Sequence, residues 1–428
     1  MITTELIDKL INFIQYNNLT VDTIEKISHK SKRNLLSDIE QINDLFSFYN
    51  IKISLDNNVL KITDFDIEDL LDDIFSNNEF LFQQERAYIL ILYLFLKQEF
   101  VSLNHFLEVL RMSKNTVLSD LSDANNKSIK FEVKIKYTRK EGYELIGEQL
   151  KIRKLIDNTV SEILKFSTGK KIIEYIAKMW GIKLYTESIG NLLTQTENIS
   201  FVKERLKDVI YLIAVLEAGN TIEDKELYLK DEERSYIKNS APSILTEKIV
   251  NAFPKLRTQR MYITIQLLSV VQGDLESDRI DYFKDMLEEI IVNVEGYVGS
   301  IFPNTDNFRK NLYNHLVPSY FRMRFQIQLN NPLKEQIIRD YPNLFYLVKQ
   351  SLKPLSKRTN LDITDDEIAY FVIHFGSYFT STKEHKSPVL NAIILCPHGM
   401  GTSLLLKNLL SSAMPEINFI TQVSHIKK

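Results

Sequence analysis

The scarcity of glycine and proline before about residue 296 restricts the fold of this chain more than any other feature. The 428 residues include 12 glycines and 10 prolines, and most of the prolines come after that point. Because these two residues interrupt helices, segments with apolar residues at helical spacing can continue without a break. We therefore expect a mainly α fold with a few short β elements.

Length and composition narrow the class of protein. A chain of 428 residues predicts about three domains, and 44% hydrophobic with 25% charged residues is typical of a soluble globular protein. The single cysteine, Cys396, excludes a disulfide framework and indicates a reducing, cytoplasmic compartment. The first residues lack the layout of a signal peptide, and apolar runs are too short for membrane insertion.

The stretch "FVSLNHFLEVLRMSKNTVLSDLSDANN", residues 100–126, predicts a helix-turn-helix. The first helix runs from Leu103 to Leu110, and a tight turn leads to a second helix whose Val117, Leu118 and Leu121 point inward. A serine caps the second helix, and its first residues face outward, as in a helix that enters the DNA major groove. These candidate DNA-binding residues are Ser113, Lys114, Asn115 and Thr116.

A basic hairpin follows this helix. "FEVKIKYTRKEGYELIG" predicts strands at 131–137 and 143–146, with Arg139 and Lys140 in the turn between them. From Arg111 to Lys140 there are eight basic residues against three acidic ones. A generic helical hairpin with a solvated basic surface is the alternative, but turn, helix, hairpin and charge together favour a winged helix-turn-helix that binds duplex DNA.

The first 65 residues repeat this scheme more weakly. "TVDTIEKISHKSKRNLLSDIEQIN" predicts a helix at 20–28, a basic turn with Ser31, Lys32 and Arg33, and a helix whose Leu35, Leu36, Ile39 and Ile42 point inward. "IKISLDNNVLKI" then predicts a hairpin. We expect one winged helix-turn-helix at 1–65 and a second, Mga-like one at 75–148.

Two helical modules are predicted next, at 155–278 and 280–385. The first contains no histidine, and the second contains His315, in a helix that we expect to end at Pro318, and His374. By spacing alone, a single helical histidine is more often structural than functional.

The segments "HLVPSYFRMRF", "NNPLKEQII", "YPNLF" and "ITDDEIAYFVIHFGSYF" resemble the phosphotransferase-system regulation domain, or PRD. This resemblance implies a helical bundle in which His315 and His374 accept phosphate from the phosphocarrier protein HPr or from enzyme II components. Arg322 and Arg324 could pair with the new anion, and surface charges are the alternative. By order, residues 155–278 would be a first PRD that lacks the histidine to be phosphorylated.

The segment around Cys396 predicts a phosphate-binding loop. "VLNAIILC" reads as a buried parallel strand, "PHGMGTS" as a glycine-bearing loop and "LLLKNLL" as the start of a helix. The loop residues are His398, Gly399, Gly401, Thr402 and Ser403. Thr402 stands where a tyrosine phosphatase has arginine, so the pattern instead resembles enzyme IIB domains of the galactitol type, with Cys396 as phosphate acceptor. An inert buried cysteine is the alternative. We expect 388–428 to be the truncated start of such a domain.

The domain order resembles PRD-containing transcriptional activators of the mannitol-operon type. It implies a homodimeric, cytoplasmic regulator of a sugar-uptake operon that is not an enzyme and has no catalytic residues, cofactor or metal site. The prediction that the sugar is mannitol rests on domain order alone, since the uptake operons of other sugars have similar regulators. Three alternatives remain open: an RNA-binding antiterminator of the same superfamily, a phosphocarrier component of the enzyme IIB type, and a purely structural dimerisation protein.

Overall fold

A computed structural model describes residues 1–194, 199–219, 227–273, 275, 281–298, 306–380, 390–395, 400–414 and 417–423. The chain forms two compact units, one of residues 1–184 and 218–220, the other of residues 185–217 and 221–428. Helices dominate both units, and the described strands pair only in twos, so the predicted mainly α class is confirmed.

The first unit begins with a helix-turn-helix and a hairpin. Its elements are α1 (Thr4–Gln15), α2 (Val21–Ser28), α3 (Lys32–Phe46), β1 (Ile53–Asp56) and β2 (Val59–Ile62). The side chains of Thr3, Thr20 and Ser31 cap the three helices by accepting a backbone N–H. Asn57 and Asn58, with φ of 47° and 67°, make the tight turn between the strands, because asparagine tolerates this left-handed conformation. The helix and hairpin predicted here are confirmed.

The same unit continues with a longer version of this arrangement. Its elements are α4 (Ile67–Ser76), α5 (Arg86–Phe95), α6 (Leu103–Leu110), α7 (Lys114–Ile129), β3 (Lys134–Thr138), β4 (Gly142–Ile146), α8 (Gln149–Leu164) and α9 (Gly169–Met179). Strand β3 begins later than the predicted residue 131, because α7 continues to Ile129 and Glu132 turns the chain with a φ of 60°. Gly142 is required where β4 begins, since a Cβ there would lie 2.3 Å from the carbonyl oxygen of Val101.

Helices α8 and α9 belong to the first unit. They pack against α5, whose residues from Ile89 to Phe95 are all buried. The second compact unit begins at Tyr185, and the start of a helical module at 155 stays a prediction. The other domain boundaries stay predictions.

The second unit is a helical assembly with two short sheets among its described residues. Its elements are α10 (Thr186–Thr194), β5 (Ser200–Phe201), α11 (Lys203–Ala218), α12 (Asp231–Asn239), α13 (Ala241–Ala252), α14 (Arg260–Val270), β6 (Val271–Gln272), α15 (Asp281–Val298), α16 (Asp306–Phe325), α17 (Lys334–Asp340), α18 (Pro342–Ser351), α19 (Lys353–Thr359), α20 (Asp365–Thr380), β7 (Leu390–Leu395), α21 (Met400–Ala413) and β8 (Ile417–Val423).

Helix α16 does not end at Pro318, so that prediction is wrong. The proline lies inside a helix that continues to Phe325. A proline in a helix removes one backbone hydrogen bond and usually kinks or ends the helix. Here Val317 before it and Tyr320 and Phe321 after it are fully buried, and this apolar packing outweighs the local cost.

The last described segment is a strand, a helix and a strand. Strands β7 and β8 pair in parallel, and Ile394 and Phe419 form a small core, so the predicted parallel pairing is confirmed. The strand is not buried along its length as predicted, because Ile393 is 62% exposed. Helix α21 already begins at Met400, so the backbone of Gly401, Thr402 and Ser403 is helical, where a loop was predicted. Cys396, His398 and Gly399 lie outside the described residues.

Among the residues that the structure describes, no helix is long and apolar enough to cross a membrane. No group of three His, Cys, Asp or Glu side chains in these ranges is arranged to hold a metal ion.

Candidate functional site

Both predicted histidines line one cavity in the second unit. Its volume is about 90 Å³, and its walls come from α11, the end of α14 with β6, α16 and α20. His315 lies on α16 and His374 on α20. Since one water takes up roughly 30 Å³ in the liquid, a space of this size has room for about three waters, comparable to the oxygens of a phosphoryl group.

The two imidazole rings face each other. Their centroids are 4.6 Å apart, and the ring planes form an angle of 36°. Phe371, one turn before His374, forms a T-shaped contact with His315, and the two ring centroids are 4.7 Å apart. His315 is partly accessible and His374 is only 8% exposed, so the pair lies at the inner end of an opening rather than on the open surface.

Both histidines are neutral at pH 7. Burial lowers the pKa of His374 to about 4. Burial, the neighbouring His374 and the nearby positive charges of Arg322 and Arg205 hold the pKa of His315 well below its usual value. A neutral imidazole keeps a nitrogen lone pair, and that lone pair is the nucleophile that a phosphoryl acceptor requires.

Ser319 orients the His315 ring. Its hydroxyl donates to Oε2 of Glu367 at 2.8 Å, so its oxygen can only accept from Nε2 of His315, which lies 3.3 Å away. Nε2 therefore carries the proton, and the lone pair of His315 is on Nδ1.

The two arginines that the sequence suggested as phosphate partners already hold carboxylates. Nη2 of Arg322 lies 2.8 Å from Oε2 of Glu367, and both side chains are almost completely buried. Nε of Arg324 lies 3.0 Å from Oε1 of the buried Glu233. Arg322 also lines the histidine cavity and Arg324 does not, so only Arg322 keeps a place in the predicted role.

A third arginine reaches the cavity from outside the predicted motifs. Arg205 on α11 donates to the backbone carbonyl of Ser269 at 3.1 Å, and Arg322 donates to the same oxygen at 2.8 Å. Burial and the like charge of Arg322 lower the pKa of Arg205 to about 10. Sequence reasoning missed Arg205, because a charged residue near the start of an amphipathic helix looks the same whether it is solvated or buried.

The start of α7 is arranged as the sequence predicted. Ser113, Lys114 and Asn115 are exposed, and Thr116 is half-buried. The Ser113 hydroxyl accepts the backbone N–H of Thr116, so this side chain acts as helix cap. Val117 and Leu121 are buried as predicted, which turns the first residues of the helix outward.

The start of α3 has the same geometry. Ser31, Lys32 and Arg33 are exposed, and Ser31 caps the helix through the backbone N–H of Asn34. The two helices share the pattern Ser-Lys-x-x-apolar-Leu-Ser-Asp, in "SKRNLLSD" and "SKNTVLSD". The wing residues Arg139 and Lys140 are also exposed, at the tip of the hairpin formed by β3 and β4.

Two leucines of these helices are not in the core. Leu36 is 37% exposed and Leu118 is 44% exposed, although both were predicted to point inward. They occupy the same position of the shared pattern, directly after a buried residue. The sequence misled because i and i+1 on a helix are 100° apart, and the core here accepts only the first of each apolar pair.

Two family models match separate parts of the chain. The model described as PRD domain matches residues 288–378, which include both cavity histidines. The model described as Mga helix-turn-helix domain matches residues 73–158, which include α6, α7 and the wing.

Two curated proteins of Bacillus subtilis (strain 168) are similar to this chain. The "Probable licABCH operon regulator" is 24% identical over 365 residues, which are 80% of this chain and 55% of that protein. The chain thus spans about half the length of this relative. The "Transcriptional regulator ManR" is 29% identical over 93 residues, 22% of this chain and 14% of that protein. The chain therefore contains one segment similar to the Mga helix-turn-helix domain and, after it, one similar to the PRD domain, and it is similar to two proteins named as regulators.

Proposed function

We propose that the chain is a DNA-binding activator of a carbohydrate-uptake operon, and that phosphorylation of His315 and His374 by HPr or an enzyme II component sets its activity. The observation that carries the proposal is the pair of neutral imidazoles in one cavity with two guanidinium groups. Such a site combines a nucleophile with cations that balance the charge of a phosphoryl group.

The transfer needs no cofactor. The lone pair of the accepting imidazole nitrogen forms the new N–P bond, the N–P bond of the carrier's phosphohistidine breaks, and the carrier's imidazole leaves with that electron pair. The acquired group brings about −1.5 to −2 charges into a cavity between packed helices. A charge of that size can change which packing of the helices is favoured.

Removal of the acceptors tests this proposal. The full chain is incubated with labelled phosphoenolpyruvate, enzyme I and HPr. We expect the His315→Ala, His374→Ala double variant to incorporate at least about tenfold less label than the parent chain, because the nucleophiles are gone. His105→Ala is the matched control, since His105 lies in α6 of the first unit. Equal labelling of the double variant and the parent chain would refute the proposal.

The regulatory link is tested by operator binding. The single variants His315→Ala and His374→Ala and the phosphomimetic His315→Asp and His374→Asp are compared in a mobility-shift assay. The proposal requires that the charged variants differ from the neutral ones in affinity for duplex DNA. If all four bind alike, phosphorylation at these positions does not control DNA binding.

We place the DNA-binding face on the starts of α3 and α7 and on the tip of the second hairpin. Lys140→Ala is expected to weaken binding to all DNA sequences and to reduce the salt dependence by about one counterion, because the side chain is almost fully exposed in the wing. Lys130→Ala also removes one positive charge, but at the C-terminal end of α7, away from the proposed DNA-binding residues at its start, and serves as control. Titrations of duplex DNA at several salt concentrations, with hairpin RNA in parallel, measure this. Tighter binding to RNA would favour an antiterminator.

Leu118 is proposed to contact base methyl groups, since an apolar side chain on the outer face of a recognition helix can contact the methyl group of thymine. The homodimer, the identity of the sugar and the phosphorylation of Cys396 stay predictions from the sequence.

A further inference from the structure

Only some of the residues that line the histidine cavity lie in the segment 288–378 that matches the PRD domain. Arg205 and the Ser269–Gly273 stretch, which form one side of it, lie before residue 288. These residues belong to the helical module that contains no histidine. That module therefore has no acceptor of its own among the predicted histidines, yet it supplies a cation to the site where the acceptors are.

We infer that Arg205 binds the phosphoryl group carried by His315 or His374, and that helix α11 thereby senses phosphorylation of the other module. This inference rests on the proposed phosphorylation of the two histidines. It differs from the role of Arg322, whose guanidinium group is already held by Glu367.

The contacts of Arg205 support this role. Among the described residues no carboxylate forms an ion pair with Arg205, and its guanidinium group shares the Ser269 carbonyl with Arg322. Glu367 is paired with Arg322 and acts on Arg205 only at longer range, and Asp208 acts on Arg205 more weakly still. Of the two guanidinium groups that line the cavity, only that of Arg322 has an ion pair among the described residues, so the direct contacts leave an excess of positive charge at Arg205, beside the two neutral imidazoles. A phosphoryl group would neutralise that excess through charge-assisted hydrogen bonds.

Because Arg205 lies at the start of α11, its contact with a phosphoryl group would affect this helix. It is the third residue of α11 (Lys203–Ala218), whose Val209, Leu212, Ile213 and Leu216 are buried. A phosphate-bound Arg205 would fix the start of this helix on α16 and α20, which bear the histidines. We therefore expect phosphorylation to slow the opening of the first turns of α11.

The experiment uses the full chain and phosphoramidate, a small donor that removes any need for a carrier protein. A histidine nitrogen attacks phosphorus, the donor's N–P bond breaks, and ammonia leaves with its electron pair. Two quantities are measured: phosphate incorporated per chain, and hydrogen exchange of α11 backbone amides before and after incorporation. The variants are Arg205→Gln, Arg205→Lys and, as matched control, Lys207→Ala, an exposed cation of the same helix.

In the parent chain and in Lys207→Ala, phosphorylation should slow exchange in the first turns of α11 by about tenfold, the effect of one charge-assisted contact. Arg205→Gln should still incorporate phosphate but lose this slowing, and Arg205→Lys should keep part of it. If Arg205→Gln fails to fold, the Lys variant decides, because it keeps the charge and loses the bidentate fork.

Two other results have different meanings. If the parent chain incorporates phosphate and both Arg205 variants respond as it does, the role of Arg205 is refuted while the proposed phosphorylation stands. If the parent chain incorporates no phosphate at His315 or His374, the proposed function fails and the inference fails with it.

Discussion

Glu367→Gln should lower the free energy of unfolding of the second unit by about 3–5 kcal/mol, the typical cost of leaving one charge of a buried ion pair without its partner. Arg322 and Glu367 are 5% and 3% exposed, and the Ser319 hydroxyl and the Ser269 carbonyl complete their hydrogen bonds. With glutamine at 367, the Arg322 guanidinium would stay buried with neutral acceptors only. Urea unfolding of the full chain at pH 7, followed by circular dichroism, measures the loss.

The chain offers a matched control for this prediction. Glu289 and Arg358 form a second glutamate–arginine pair in the same unit, with an N–O distance of 2.6 Å, but their side chains are 51% and 21% exposed. Glu289→Gln should cost no more than about 1 kcal/mol, because water screens and replaces the interaction. Equal losses for the two variants would mean that burial does not set the strength of the inner pair.

A double variant distinguishes the loss of the ion pair from the cost of leaving one of its charges buried alone. Arg322→Met with Glu367→Leu replaces both charges by apolar groups of similar volume, and a large part of the lost stability should return. The same double variant removes one cation from the histidine cavity. It therefore also tests whether Arg322 is needed for phosphorylation or only for the packing of α16 against α20.

Local signals in the sequence predicted the local structure of the first unit well. Ser113 as cap, the helix from Leu103 to Leu110 and the hairpin that turns at Asn57 and Asn58 depend on neighbouring residues, and each is found as expected. Leu36 and Leu118 were misplaced because the width of the buried face depends on what packs against the helix. No sequence window contains that information.

The roles of the cavity residues also depend on tertiary packing that no sequence window contains. His315 and His374 were found through a resemblance, and spacing alone did not separate them from structural histidines. Glu367 and Arg205 carry no sequence signal of their role, since each is a charged residue in a helical pattern. Only the packing of α11, α16 and α20 brings Arg205 into the wall of the cavity and Glu367 into contact with Arg322.

The stability of the second unit should fall steeply as the pH is lowered from about 6.5 towards 4. The pKa of His374 is lowered to about 4 in the folded protein, whereas an exposed histidine has its ordinary value of about 6.5. Between these two pH values His374 binds a proton in the unfolded chain but not in the folded chain, so protonation favours unfolding. A difference of about 2.5 pKa units corresponds to roughly 3 kcal/mol, fully present above pH 6.5 and lost near pH 4. His315 acts in the same direction.

Comparison of variants isolates this contribution from that of the acidic residues, which titrate in the same range. His374→Gln keeps a polar side chain that does not titrate, so its stability should fall by about 2 kcal/mol less than that of the parent chain between pH 7 and pH 5. His29→Gln makes the same substitution at an exposed histidine of the first unit and serves as the control for the exchange itself. Urea unfolding at each pH gives the two slopes. Parallel slopes for His374→Gln and the parent chain would show that this imidazole is not held neutral by burial, and the nucleophile of the proposed phosphorylation would then have to be sought in His315 alone.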